Sequence, residues 1–133
     1  MYLDAAPLIL IVDDDAAVLN SLGFMLETEG FNVRTLGDVG ELLLAESMPD
    51  PDCVVLDYTM PVMNGFDVLR WLREKKVNAP AILITGHHDR RLLTRALEVG
   101  FAKVIEKPLL DSRLADDIRE ILKAPREARP SVS

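Results

Sequence analysis

The sequence predicts an α/β fold: a five-stranded parallel sheet with helices on both faces. Two observations carry this. Compact apolar runs alternate along the chain with longer stretches whose apolar residues recur at helical spacing, five of each. The strongest short runs are apolar at every position, so both faces of those strands are buried, as in a parallel sheet.

The elements follow in order. Leu8-Ile9-Leu10-Ile11-Val12 reads as the first strand. Val18, Leu19, Leu22, Met25 and Leu26 mark the first helix, with Gly30 as its stop. Phe31–Leu36 is a weaker second strand, and Val39, Leu42 and Leu43 begin a second helix that ends at Met48-Pro49. Cys53-Val54-Val55-Leu56 is the third strand; Asn64-Gly65 opens a third helix carrying Phe66, Leu69 and Leu72. Ala81-Ile82-Leu83-Ile84 is the fourth strand, followed by a helix with Leu92, Leu93, Ala96 and Leu97 that Gly100 closes. A weaker strand at Ala102–Ile105 and a helix with Leu114, Ile118, Ile121 and Leu122 complete a (βα)5 pattern. Right-handed crossovers leave few topologies, and the flavodoxin-like strand order 2-1-3-4-5 is the expectation.

A length of 133 residues fits one domain. Residues 1–123 form that domain, and 124–133, with Pro125 and Pro130 and little apolar content, read as a tail or linker stub. Composition removes several classes. No apolar run approaches the roughly 18 residues of a membrane span, and the start lacks the basic region of a signal peptide. The net charge of −7 argues against nucleic-acid contact by this domain. The one cysteine, Cys53, cannot make an internal disulfide and reads as a small core residue, with the cytoplasm as the expected compartment.

The unusual polar residues fall at the carboxyl ends of strands: Asp13 and Asp14 after the first, Asp57 at the third, Thr85 at the fourth and Lys107 after the fifth. Ligands of open α/β sheets bind at that edge, where the strand order reverses. In order 2-1-3-4-5 the reversal lies between strands 1 and 3, which gathers Asp13, Asp14 and Asp57. Taken alone, Asp13 and Asp14 equally suit a helix N-cap, the reading preferred for Asp15. Clustered carboxylates need compensation, by a raised pKa or by a bound divalent cation, and an all-oxygen set without nearby His or Cys ligands suits Mg²⁺, Mn²⁺ or Ca²⁺, Mg²⁺ best where a phosphoryl oxygen completes the shell. With the Lys107 cation and the Thr85 hydroxyl the set suits phosphoryl transfer to a carboxylate nucleophile.

Four segments then resemble the receiver domain of two-component response regulators, over about residues 8–123: Ile9-Leu10-Ile11-Val12-Asp13-Asp14-Asp15, Asp57-Tyr58-Thr59-Met60-Pro61-Val62-Met63-Asn64-Gly65, Ile82-Leu83-Ile84-Thr85-Gly86-His87 and Ile105-Glu106-Lys107-Pro108. The resemblance implies that Asp57 is the phosphoacceptor. It implies that Asp14 ligates Mg²⁺ directly, Asp13 mostly through water, and that Thr59 adds its backbone carbonyl. Thr85 would bind the phosphoryl group and shift with it, Lys107 would pair with it, and Lys107–Pro108 would be cis. The chain departs at Val104, three residues before Lys107, where the family often carries a Tyr or Phe that moves inward with Thr85. Phe101 stands at another strand phase and takes no such role.

The implied function is a phosphorylation switch. The donor would be a histidine kinase or phosphotransfer protein. The readout would be a downstream protein, an output domain absent from this chain or a phosphorylation-dependent homodimer, reached through the fourth helix, fifth strand and fifth helix. Beyond its own phosphotransfer and dephosphorylation no enzymatic activity is expected. Thr59 and His87 are candidates for tuning dephosphorylation. Adjacent His87 and His88 otherwise read as exposed, Gly65 as a turn residue, Trp71 as packing, and Arg90, Arg91 and Arg95 as a solvated helix face. A degenerate receiver acting as a scaffold is an alternative. A Mg²⁺-dependent phosphatase of the haloacid-dehalogenase type would want an Asp where Thr59 stands, and a flavodoxin-type cofactor module would want a phosphate-friendly loop where Asp13-Asp14-Asp15 stand.

Overall fold

The computed structural model describes residues 6–44, 50–87, 89–109 and 113–123. Five strands, β1 (Leu8–Val12), β2 (Asn32–Leu36), β3 (Cys53–Asp57), β4 (Ala81–Thr85) and β5 (Lys103–Glu106), pair in parallel in the order β2-β1-β3-β4-β5. Between and after them run α1 (Ala16–Thr28), α2 (Val39–Leu43), α3 (Gly65–Glu74), α4 (Arg90–Val99) and α5 (Arg113–Leu122). The predicted order holds. The proposed end of α2 at Met48-Pro49, His88 and the tail at 124–133 lie outside the described residues.

Pleat alternation divides the core into two halves. Leu10, Val12, Val54, Leu56, Ala81 and Leu83 point to one face and pack with Leu42, Phe66, Leu69 and Ala96 of α2, α3 and α4. Ile9, Ile11, Cys53, Val55, Ile82 and Ile84 point to the other and pack with Leu19, Leu22 and Leu26 of α1 and with Leu114 and Ile118 of α5. Strands β1, β3 and β4 are sealed on both sides apart from a half-exposed Leu8, which is why they read as unbroken apolar runs. Cys53, the one cysteine of the sequence, is buried within the second half.

The helix ends follow from particular residues. Asp15 caps α1, its side chain accepting from the N–H groups of Ala17 and Val18 at 2.9 and 3.3 Å, an interaction of about 1 kcal/mol. Asn64 and Asp67 form a reciprocal capping box on α3. At the end of α1, Gly30 takes a φ of +99°, the Gly30 N–H bonds the Glu27 carbonyl and the Phe31 N–H the Leu26 carbonyl. The same closure ends α3, but there the left-handed residue is Lys76, at a φ of +67°.

Candidate functional site

Strand parity aims the polar residues. Asp57 continues the Cys53–Val55 phase of β3, and Asp13 continues the Ile9–Ile11 phase of β1, so both carboxylates leave the sheet edge on the side of α1 and α5. Lys107 follows Ile105 in the same phase. Thr85 follows Ala81 and Leu83 and so belongs to the opposite phase, toward α4.

The parallel ladder extends one residue past the strands and fixes where these side chains start. The Asp13 N–H bonds the Leu36 carbonyl at 3.2 Å, the Tyr58 N–H the Ile84 carbonyl at 2.9 Å, and the Lys107 N–H the Thr85 carbonyl at 2.8 Å. The Lys107–Pro108 peptide bond is cis.

Asp13, Asp57 and Thr85 are the buried polar or charged residues among those described, and Asp14 is exposed. Lys107 Nζ lies 3.3 Å from Asp57 Oδ1 and 3.6 Å from Asp13 Oδ2, bridging the two carboxylates. Asp13 Oδ1 accepts the Asp15 N–H at 2.9 Å, while Asp13 Oδ2 is buried with no hydrogen-bond partner. Carboxylate oxygens of Asp13, Asp14 and Asp57 fall within 4.8 Å of one another. A buried oxygen with no hydrogen bond, held only by the Lys107 ion pair, in an all-oxygen trio is what a hard divalent cation would use.

Burial first, then the Asp13 carboxylate, push the Asp57 carboxyl up from 3.8 to about 6, against the opposing pull of Lys107. The group is still mostly ionised at pH 7. At Lys107 burial lowers the pKa, but the carboxylates of Asp57 and Asp13 outweigh it and hold the ammonium above its ordinary value.

An open depression of about 600 Å³ covers this cluster, lined by Asp14, Asp15, Asp57, Thr59, His87 and Lys107 among others. Thr59 and His87 are therefore at the rim. Thr85 Oγ1 accepts the His87 N–H at 3.0 Å, and the His87 ring meets Tyr58 edge-on at 6.0 Å. On the α4 side, a cavity of about 300 Å³ runs between α4 and β5, lined by Thr85, His87, Leu92, Leu93 and Val104. Val104 stands beside Thr85's phase and leaves space there. Phe101 is buried against Phe66 and does not line that space. Arg90, Arg91 and Arg95 are exposed on α4, as predicted, and Arg95 also lies over the Phe66 ring at 5.8 Å. Half-buried Trp71 packs against the first core half, as predicted.

Gly65 does more than make a turn. A Cβ there would lie 2.8 Å from the Asp57 carbonyl oxygen and 2.8 Å from Leu83 Cδ1. The N-terminus of α3 thus rests on the backbone of Asp57, with the Gly65 N–H bonding the Tyr58 carbonyl at 3.0 Å. Gly65→Ala is expected to cost about 2–3 kcal/mol by overpacking, read as a lower urea midpoint. An unchanged midpoint would mean α3 can shift away freely.

Comparison with known proteins gives one consistent picture. A family model described as response regulator receiver domain matches residues 9–119. The C4-dicarboxylate transport transcriptional regulatory protein DctD of Pseudomonas aeruginosa is 37% identical over 123 residues, covering 92% of this chain and 27% of DctD. The transcriptional regulatory protein FixJ of Bradyrhizobium diazoefficiens is 34% identical over 123 residues, covering 92% of this chain and 58% of FixJ. The chain therefore spans well under two-thirds of those curated relatives. Among solved structures, a CheY-like receiver domain from Methanospirillum hungatei superposes with a TM-score of 0.80 at 30% identity, covering 89% of this chain and 94% of that one.

Proposed function

The chain belongs to the response regulator receiver domain family, and from that premise we propose that Asp57 accepts a phosphoryl group from a phosphohistidine and that the aspartyl phosphate changes what the domain binds. Receiver domains of two-component systems are phosphorylation-dependent signalling switches that interact with histidine kinases or phosphotransfer proteins. The observation that carries the assignment to Asp57 is the placement of Lys107 between two buried carboxylates, 3.3 Å from Asp57 and 3.6 Å from Asp13.

An Asp57 oxygen attacks phosphorus in line. The new O–P bond forms as the P–N bond breaks, and the donor's imidazole keeps the electron pair. Lys107 neutralises charge on the transferred oxygens. Thr85, whose oxygen already accepts the His87 N–H, has its hydroxyl proton free to donate to the phosphoryl group. Asp13, Asp14 and Asp57, with the Thr59 carbonyl, would hold Mg²⁺, which when bound screens the carboxylates from one another and from the phosphoryl oxygens. His87 and Thr59, at the rim, tune how water reaches the phosphate.

The readout runs from Thr85 through the cavity it shares with Val104 to the α4–β5–α5 face. In this chain that space takes the place of an inward-moving aromatic ring. The target is a downstream protein, an output domain outside these residues or a second copy. The domain makes no direct nucleic-acid contact and works in the cytoplasm; no described helix is long and apolar enough to cross a membrane. Complete polar machinery at the sheet edge disfavours the scaffold reading. Thr59 in place of a second acid disfavours the phosphatase, and three aspartates after β1 disfavour a phosphate-bearing cofactor.

Incubation with a small phosphodonor such as acetyl phosphate, then borohydride reduction and peptide mapping, tests the assignment. The label is expected at position 57, and to vanish on chelation of divalent cations or in Asp57→Asn. A label on another residue with Asp57 intact rejects it.

A further inference from the structure

We propose that the groove between the C-terminal ends of α3 and α4 is a docking site for an acidic peptide segment of a partner protein. The groove holds about 470 Å³. Its lining includes apolar Leu69 and Val99, and it carries Arg70, Arg73 and Lys76 beside Glu74, with Arg70 already paired to Asp67 at 2.9 Å. The three cations recur at every third position along the end of α3, in a chain whose net charge is −7.

Cations near a helix C-terminus interact favourably with the helix dipole, and that accounts for their presence. It does not account for how Arg73 is set. Arg73 Nη1 donates to the Val77 carbonyl at 2.8 Å, which fixes the guanidinium in place. Arg73 Nε is closed off from solvent and has no acceptor. Among the described residues neither Arg73 nor Lys76 forms an ion pair. A guanidinium has five N–H groups and keeps its charge, so half-burying it without a counter-ion is costly, and an incoming carboxylate would recover part of that cost. Burial lowers the Arg73 pKa, the direction expected of a cation without a compensating carboxylate.

Lys76 adds a second oddity. It occupies the left-handed position closing α3, where glycine would sit with less strain. The Lys76 N–H bonds the Arg73 carbonyl at 3.0 Å and the Val77 N–H the Leu72 carbonyl at 2.9 Å, so the backbone is held there. The strained position keeps a long cation at the groove.

Charge and shape select the occupant. Arg73 and Lys76, without ion-pair partners among the described residues and set beside apolar side chains, suit a glutamate or aspartate next to an apolar residue. A strongly acidic domain with so short a basic run is poorly suited to follow a phosphate backbone. The groove also lies away from the phosphoacceptor. Helix α3 begins against Asp57 and runs for 10 residues, so its far end is about 15 Å away. A peptide held there leaves Asp57 open to its donor.

NMR titration of the ¹⁵N-labelled full chain tests this, with a capped peptide of glutamates and leucines and, separately, a thymidylate oligonucleotide. The peptide is expected to produce saturable shifts at Arg73 Nε–H and at the Val77 and Val99 amides, weaker by roughly tenfold at about 0.5 M salt. Lys76→Glu, an exposed change, is expected to weaken binding about tenfold. Lys76→Gly is expected to raise the urea midpoint yet weaken the peptide, which a purely structural role for Lys76 does not predict. Asp57→Asn is expected to bind the peptide as the parent does. Absent shifts at Arg73, binding indifferent to both Lys76 variants, or tighter binding of the oligonucleotide at these residues would overturn the proposal.

Discussion

Replacing Lys107 by methionine is expected to destabilise the metal-free domain by about 3 kcal/mol near pH 8 and to slow phosphotransfer roughly a hundredfold. The cause is what Lys107 separates. Its ammonium sits 3.3 and 3.6 Å from two carboxylates that are themselves buried. Methionine keeps the stem and removes the charge, so Asp13 and Asp57 face each other with no cation between them. The domain can relieve that by protonating Asp57, whose pKa is already raised to about 6. The deficit should therefore shrink at pH 5. Lys107, held above its ordinary value, stays charged throughout this range and loses its proton only as pH rises through that raised value, so the change between pH 5 and pH 8 comes from Asp57. Urea unfolding of both proteins at pH 5 and pH 8 measures the difference. An equal deficit at both would show that the stem's packing, not the charge, is what Lys107 contributes.

The second result concerns Asp57 itself. A folded-state pKa of about 6 against 3.8 means that the folded domain binds this proton more tightly than the unfolded chain. Stability from this group is fully present below about pH 4 and is lost as pH rises through about 6. The metal-free domain should thus lose about 1–3 kcal/mol between pH 4 and pH 7.5 on account of Asp57. Asp57→Asn should abolish both phosphorylation and that loss, leaving the variant more stable than the parent at neutral pH. Mg²⁺ should stabilise the parent at pH 7.5 and have much less effect on the variant. The idea fails if Asp57→Asn follows the parent's stability curve across the whole range.

Much of this was legible in the sequence because a parallel sheet buried on both faces leaves a strong signature. The runs at Leu8–Val12, Cys53–Leu56 and Ala81–Ile84 have no polar face to confuse with anything else. The gathering of Asp13, Asp14 and Asp57 followed from strand order, with Lys107 placed at the same edge, and the structure brings Lys107 within ion-pair distance of Asp13 and Asp57. Asp15 as a helix cap was legible for the same local reason, since a carboxylate just before a helix has N–H groups to accept from. What the sequence hid depends on contacts between distant segments. Gly65 read as a turn because nothing local shows that α3 rests on the Asp57 carbonyl. Its place at the start of an amphipathic helix eight residues after Asp57 was the signal available. Arg95 is exposed as it read, but helical spacing cannot show that it also reaches Phe66. The setting of Arg73 was equally hidden, since it depends on how the chain turns after α3.

The backbone ladder that continues past the strand ends has a consequence for quality control of the signal. Asp13 is held by β2, Tyr58 next to Asp57 by β4, and Lys107 by Thr85 of that same strand. Each member of the site thus reports the pairing of a different pair of neighbours: β1 with β2, β3 with β4, and β4 with β5. A chain that has collapsed without docking its edge strand lacks Lys107 at the carboxylates, and one with a strand displaced by a residue points an aspartate toward the wrong helices. Partly assembled molecules are therefore expected to be poor phosphoryl acceptors. The population able to receive the message is the population that has finished folding, so the chemistry itself acts as the checksum on the sheet.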